Sequence, residues 1–598
     1  MDLRNRIREI VFTDKERVIL LSLMLLVLII NIRHLGSIEI FTVLDDEFGY
    51  WGSAAYLAGL DWSGIISEIP YYSYGYSLLL VPLFFIFDNP VHMYKAAIVL
   101  NGIMLSVSFL LCYDIAKKLA KGVDKKILIV IAFLISMYPA YIAYSSIAWG
   151  ECLLILNIWL LTWGFTDLNE TSSNHKFVLI GFLSMYSYMI HQRALGVLIA
   201  SMIVVIVMNV LGKINLKQVL LVALPMIILL FIHIYLKENI QTLLWLNGSG
   251  NMTNDYLAQT GKISQIFSIN GFLALVKTSL GHIFYVGAAS YLLGYLGLYE
   301  LLRKAGKGTI AAIKSGKTDI LSCDQHFPLY NFLLIAVLLS LAINIIFMIN
   351  PTRVDHIVYG RYIDMIMGPL VLLGFVVLMN KKTNWNKTFV IISLGFILLA
   401  VAVRSNIKTS GLTLFADYNV VGLFLINTPL TDLIPALIAI LVGRLIIISF
   451  AHKNNKAIMT SLIMIALCFF VTGDIVARTA VANQTAEEIM DMVEFIEDSD
   501  ESIPVYYLWD DEVNPGYGRG DFRNTRNRKL ADSYQFLLKD KPLNLVNKTE
   551  LEAIEDDRLV ITSRDNKHLP DLYRDYELCL VNRYSYLLIS RTGSLVNQ

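Results

Sequence analysis

Long apolar runs broken by short polar stretches fill roughly the first four-fifths of the chain, and a mixed pattern takes over after them. Runs such as VILLSLMLLVLII (18–30) and LVALPMIILLFIHIYL (221–236) recur along its length. A bilayer core about 30 Å thick is crossed by roughly 20 apolar residues in a helix, so this pattern predicts a polytopic membrane protein. The first span is expected near 18–33 and the second near 92–115. Between them YSLLLVPLFFIF (76–87) has only 12 residues. If it crossed, KKLAKGVDKK (117–126) would land outside, against the positive-inside rule. It is therefore read as a re-entrant or interfacial segment of a first outer loop, 34–91.

The alternation then runs on without conflict. Cytoplasmic loops are expected near 166–176, 212–217, 303–317, 380–387 and 451–456, all but the first clearly basic. Outer loops are expected near 146–151, 190–194, 237–272, 350–362 and 404–430. The last span, 457–477, exits outward, giving about 13 spans in all. From 478 the periodicity changes. AEEIMDMVEFIEDSDES reads as an amphipathic helix, IPVYYLWD, RLVITS and YSYLLIS as short strands, and NRKLADSYQFLLKD as a helix. The expected fold class is an all-α polytopic membrane protein, residues 1–477, with a small extracytoplasmic α/β domain, residues 478–598.

Composition strengthens this picture. Of 598 residues 56% are hydrophobic and 16% charged, which sets the chain apart from soluble globular proteins. Mean hydropathy is +0.59. Formal net charge is zero, so there is no basic footprint for nucleic acid. Arg4, Arg6, Arg8, Lys15 and Arg17 predict a cytoplasmic N-terminus. No small-residue cleavage site follows the first run, which is read as a retained helix. Of the five cysteines only Cys579 lies in the polar C-terminal part, so no disulfide framework is indicated.

Polar chemistry collects at three outer positions, all on one face of the membrane. The first outer loop holds LDDEFGYW, with Asp45, Asp46 and Glu47 in a row. A carboxylate at the water–membrane boundary can accept a proton from a hydroxyl or hold a divalent cation. Asp45 or Asp46 could instead be the N-cap of the following helix, which explains one acid but not three. The same loop reaches IPYYSYGYS, whose tyrosines suit either the membrane interface or a sugar groove; Tyr50, Tyr72 and Tyr74 are groove candidates. The second position is MIHQRALG, with His191 and Arg193. The third is NPTRVDHIVYGRYID, with Arg353, His356, Arg361 and Tyr362. Arginine presents a planar fork to phosphate oxygens, although a snorkelling arginine or a solvated loop would look alike. Glu151 in AWGECLL is either a site carboxylate or a helix-start acid. Acid on one outer loop and cations on two others suit group transfer from a phosphate to a hydroxyl. The chain contains no GxxxxGK[ST], GxGxxG, HExxH or CxxC.

These residues resemble the GT-C superfamily of integral membrane glycosyltransferases, and within it the branch of protein O-mannosyltransferases and bacterial aminoarabinose transferases. That branch has an Asp-Glu-x-x-Tyr element in its first outer loop, matched by Asp46, Glu47 and Tyr50 of DEFGY. A Pro/Tyr-rich turn follows, as in IPYYSYGYSLLLVPLFFIF, and YGRYID is similar to an Arg-Tyr element of related bacterial members. One departure stands out. The aminoarabinose transferases carry a lysine before the proline of that loop, and IPYYSYG has none; the resemblance passes its role to Arg193, Arg353 or Arg361. The resemblance implies a sugar on polyprenyl phosphate as donor, a glycan, lipid or protein acceptor, and inverting transfer at the extracytoplasmic face. It implies Asp46 as general base, tuned by Asp45 and Glu47. It implies no required cofactor, while leaving a divalent metal on Asp45, Asp46 and Glu47 open.

Other classes remain in view. A transporter or lipid flippase would bury charge mid-span and pair discontinuous helices, whereas here charge sits at helix ends. A glycan polymerase or ligase shares the outer-face logic. A non-catalytic scaffold would place its function in the C-terminal domain. The short Lys/Ile-rich loops suit a bacterial cell membrane.

Overall fold

The computed structural model describes residues 15–66, 69, 71–245, 261–315, 325–349, 354–379, 385–411, 418–423, 433–452, 454–481, 486–500, 502–509, 522–564 and 566–590. Arg353 and the greater part of the charged stretch 509–529 lie outside them.

Among the described residues eight helices are long and apolar enough to cross a membrane, from Pro90–Leu119 to Asn455–Thr479. The sequence reading of about 13 spans also drew on shorter elements, such as Lys15–Asn31, Glu151–Phe165, Asn174–Ile190 and Asp364–Met379. The second expected span begins where local chemistry dictates. The Asn89 side chain accepts from His92 N at 3.1 Å, Pro90 fills the first helical position, and Lys117 and Lys118 sit in the last turn. The 76–87 segment is a ten-residue helix, Ser77–Ile86, with Pro82 inside it. Ten helical residues rise only about 15 Å, short of a bilayer core.

One span and one loop differ from expectation. A single crossing followed by a cytoplasmic loop at 303–317 was expected after 272. Instead a helix Ile269–Ala289 breaks at Ser290, and a second helix, Leu293–Ser315, runs through that basic stretch. Tyr291 and Leu292 take φ of 52° and 65° at the break, a left-handed turn held by packing, with Tyr291 stacked 5.0 Å from Phe469. Lysine, arginine and alanine are good helix formers, so the charges of 303–315 do not end the helix.

The last long helix reaches Val481, just past the composition change at 478. Beyond it five strands form one sheet: β1 (Val505–Leu508), β2 (Leu543–Val546), β3 (Leu559–Ser563), β4 (Tyr576–Val581) and β5 (Ser585–Ser590), in the order β2-β1-β3-β5-β4. β1 runs parallel to β2 and β3, with Val505 opposite Leu543 and Leu559; β5 runs antiparallel to β3 and β4. β3 is buried along all five residues, as a central strand should be. The helices Glu487–Asp498 and Phe522–Leu537 complete the α/β layer. The latter begins at Phe522, ahead of Asn527 where the expected helix NRKLADSYQFLLKD starts, and ends at Leu537.

Candidate active site

The acids of LDDEFGYW open a helix, Leu44–Leu57, whose first turn holds Asp45, Asp46 and Glu47. Negative charge is favoured there by the helix dipole. Neither aspartate is the N-cap. That position is Val43, which has no side chain able to cap. Glu47 supplies the acceptor instead. Its Oε2 accepts from the backbone N–H of Thr42 and of Val43, both at 2.7 Å. Its Oε1 accepts from Ala148 N at 2.7 Å and from the Tyr94 hydroxyl. Glu47 is fully buried, and burial pushes its carboxyl above the usual range against the pull of these donors.

Asp46 points elsewhere. The Tyr72 hydroxyl donates to its Oδ1 at 2.5 Å, and Arg361 Nη1 donates to its Oδ2. Gly49 makes the first contact possible, because a Cβ there would lie 2.3 Å from the Tyr72 ring. Arg361 also donates through Nε to Glu151 Oε1, and Arg193 Nη2 reaches the same oxygen at 2.9 Å. The Arg361 guanidinium lies 4.0 Å from the Trp149 ring centroid, and that of Arg193 lies 5.2 Å from Tyr362. Two carboxylates and two guanidiniums thus close into a neutral quartet drawn from four distant segments. Burial pulls the Arg361 guanidinium down, but the neighbouring Glu151 and Asp46 carboxylates outweigh it and the net shift is upward.

Three polar nitrogens of this quartet are buried with no acceptor among the described residues: Nε and Nη1 of Arg193, and Nη2 of Arg361. A buried N–H without a partner is costly, so such groups suit an anionic oxygen. Glu151 Oε2 is likewise buried without a protein donor.

The other expected site residues divide. Tyr50 is fully buried, with its ring 5.8 Å from Tyr72 and its hydroxyl without a protein partner. Tyr362 lies between Arg193 and Tyr359, whose ring is 4.8 Å away. Tyr74 faces away from the quartet, its hydroxyl 3.0 Å from His233 Nδ1 in a buried pair. His191 sits by the quartet but is no cation. Burial, Arg193 and Arg361 hold its imidazole well below the usual range, and its Nδ1 accepts from Arg193 N at 3.2 Å. His356 lies on the short helix Val354–Ile357. Asp45 is half-buried on the turn beside Asp46.

A divalent metal on Asp45, Asp46 and Glu47 does not fit these surroundings. Glu47 faces N–H and O–H donors, and Asp46 faces a guanidinium and a phenol. Among the described residues no group of three or more His, Cys, Asp or Glu side chains could hold an ion.

Sequence reasoning missed Trp149, the platform under Arg361, although it adjoins Glu151 in AWGECLL. It missed Tyr94, which lies in an apolar helix with no local signal. Asp364, the last residue of NPTRVDHIVYGRYID, was given no role. It is fully buried and accepts from the hydroxyls of Tyr138, Tyr144 and Tyr285 at 3.0, 2.7 and 2.9 Å, fixing the turn that carries Arg361.

No family model and no curated protein matches the chain. Solved structures do. ArnT from Cupriavidus metallidurans bound to undecaprenyl phosphate aligns over 97% of this chain and 98% of its own, with TM-score 0.50 and 12% identity. The chain has the GT-C fold. The same ArnT in the apo state gives TM-score 0.47 at 12% identity, covering 96% and 98% of the two chains. The oligosaccharyltransferase of Archaeoglobus fulgidus gives 0.43 at 10% identity, covering 96% and 74%. A GT-C fold with eight apolar helices of spanning length makes this a multi-pass membrane protein, the architecture expected from the sequence.

Proposed function

We propose that the protein is a glycosyltransferase that moves a sugar from a polyprenyl-phosphate donor to an acceptor hydroxyl at the outer face of a bacterial cell membrane. What supports the reading is the meeting of Asp46, Arg361, Glu151 and Arg193 in one buried cluster, within the fold of a transferase solved with undecaprenyl phosphate. In this reading the N-terminus is cytoplasmic and the C-terminal domain lies outside.

Asp46 accepts the proton of the acceptor hydroxyl. The hydroxyl oxygen attacks the anomeric carbon from the face opposite the phosphate. The C–O bond to the phosphate breaks, its electron pair stays on the phosphate oxygen, and the anomeric centre inverts. Arg193 and Arg361 carry buried N–H groups that can meet the charge developing there. Trp149 holds the Arg361 guanidinium flat, and Tyr72 fixes the Asp46 carboxylate. Tyr50 and Tyr362 border the same space, and aromatic faces suit sugar rings. The apolar helices keep the donor's lipid tail in the bilayer.

The test is Asp46→Asn in membranes supplied with a polyprenyl-phosphate sugar. Transfer should fall at least about a hundredfold with expression unchanged, as for loss of a general base. Retained transfer would end the assignment of Asp46.

A further inference from the structure

The C-terminal domain packs on the first outer loop and buries one of its aromatic rings there. Phe536, on the helix Phe522–Leu537, is fully buried. Its ring lies 4.7 Å from Phe41, 5.1 Å from Trp51, 6.3 Å from Trp62 and 6.2 Å from Tyr94, all residues of the membrane domain. Two backbone contacts fix the seat around it. Trp62 Nε1 donates to Lys539 O at 2.9 Å. Gly64 packs on β2 so tightly that a Cβ would lie 2.6 Å from Leu543 O.

Tyr94 links this wedge to the site. Its ring touches Phe536, and its hydroxyl donates to Glu47. Glu47 in turn holds the amides of Thr42 and Val43, which start the Asp46 helix, and that of Ala148. The next residue is Trp149, on which Arg361 stacks. Both the base and the cation of the quartet are therefore tied, through Glu47, to a ring supplied by the C-terminal domain. Aromatic clusters of this kind are rigid and bury large areas, so a missing ring is felt by its neighbours.

We propose that Phe536 is a positioning residue: the C-terminal domain sets the spacing of Asp46 and Arg361 through Tyr94 and Glu47. The turnover arm of its test rests on the function proposed above; the exchange arm does not. Full-length protein in nanodiscs is compared with Phe536→Ala and Phe536→Leu. Amide exchange of 42–50 and 145–150, binding of undecaprenyl phosphate, and sugar transfer are measured. In Phe536→Ala the amides of Thr42, Val43 and Ala148 should exchange at least about tenfold faster, while Asn174–Ile190 keeps its protection. Turnover should fall at least about tenfold, with undecaprenyl phosphate affinity within about twofold of the parent. Phe536→Leu, which refills the space, should recover to within about threefold.

Unchanged exchange and turnover in Phe536→Ala would overturn the proposal. So would exchange that rises throughout the chain, the mark of a merely structural role. If Phe536→Ala does not fold, Phe536→Leu carries the test: a rise confined to those amides upholds the proposal and none overturns it. If the parent transfers no sugar, the proposed function fails alone, and the exchange pattern still judges the wedge.

Discussion

The two ends of the membrane domain both carry charge clusters, and they are built differently. At the end expected to be cytoplasmic, Glu16 pairs with Lys125 at 2.5 Å and Lys117 at 3.6 Å, and Tyr113 donates to it at 2.6 Å. The lysines there are 58% and 48% exposed. At the end expected to be outer, Arg193 and Glu151 are 1% and 2% exposed. Exposed pairs are screened and worth about 0–1 kcal/mol, so the inner cluster anchors helix ends and does little else. Ions as buried as the outer quartet are expensive to desolvate, and their pairing alone does not make them a net gain. The difference separates two kinds of charge: one end tolerates its charges, and the other concentrates them around nitrogens that no described protein group satisfies.

Substitutions can break this contrast. The largest effect is expected from Arg361→Ala, which should weaken undecaprenyl phosphate binding at least about thirtyfold. Arg361→Lys should fall between the two, because it keeps the charge but loses the fork. Unchanged affinity in a direct binding assay would remove Arg361 from the donor site. A smaller effect is expected from His191→Gln. The folded imidazole titrates below its unfolded value near 6.5. The unfolded chain therefore binds the proton first, and His191 costs stability as pH falls below about 6.5. The glutamine variant should lose less melting temperature than the parent between about pH 7 and 5; equal losses would show that His191 is not held neutral. The smallest effect belongs to the inner cluster. Lys125→Ala should change stability by less than about 1 kcal/mol and leave sugar transfer intact. A large loss would erase the contrast.

Much of the site was legible because charge is rare in this chain. Glu151, Arg193 and Arg361 are each isolated charges in largely uncharged surroundings, and Asp46 sits in the one row of three acids between two apolar runs. Which of them meet was not legible, because the contacts join segments up to 315 residues apart. Glu47 could not be separated from Asp46, since adjacent acids look alike until the helix sends one inward and the other to Arg361. Tyr94, Trp149 and Phe536 are aromatic residues in surroundings that already read as core. Helix boundaries failed at 290–292, where nothing in SYLLG marks a break. In the C-terminal domain β2 and β4 were missed. β2 is four residues long, and β4, YELCLV, alternates too weakly to announce a strand.

Central to everything proposed is that Asp46 and Arg361 share one cleft on the outside of the membrane. Cysteines at both positions, treated in intact cells with a short membrane-impermeant bis-methanethiosulfonate reagent, test this directly by mass spectrometry of the full-length protein. The expected result is a single cross-linked species joining the two positions, absent from either single-cysteine variant. Labelling only after the cells are opened, or two independent adducts with no cross-link, would contradict it.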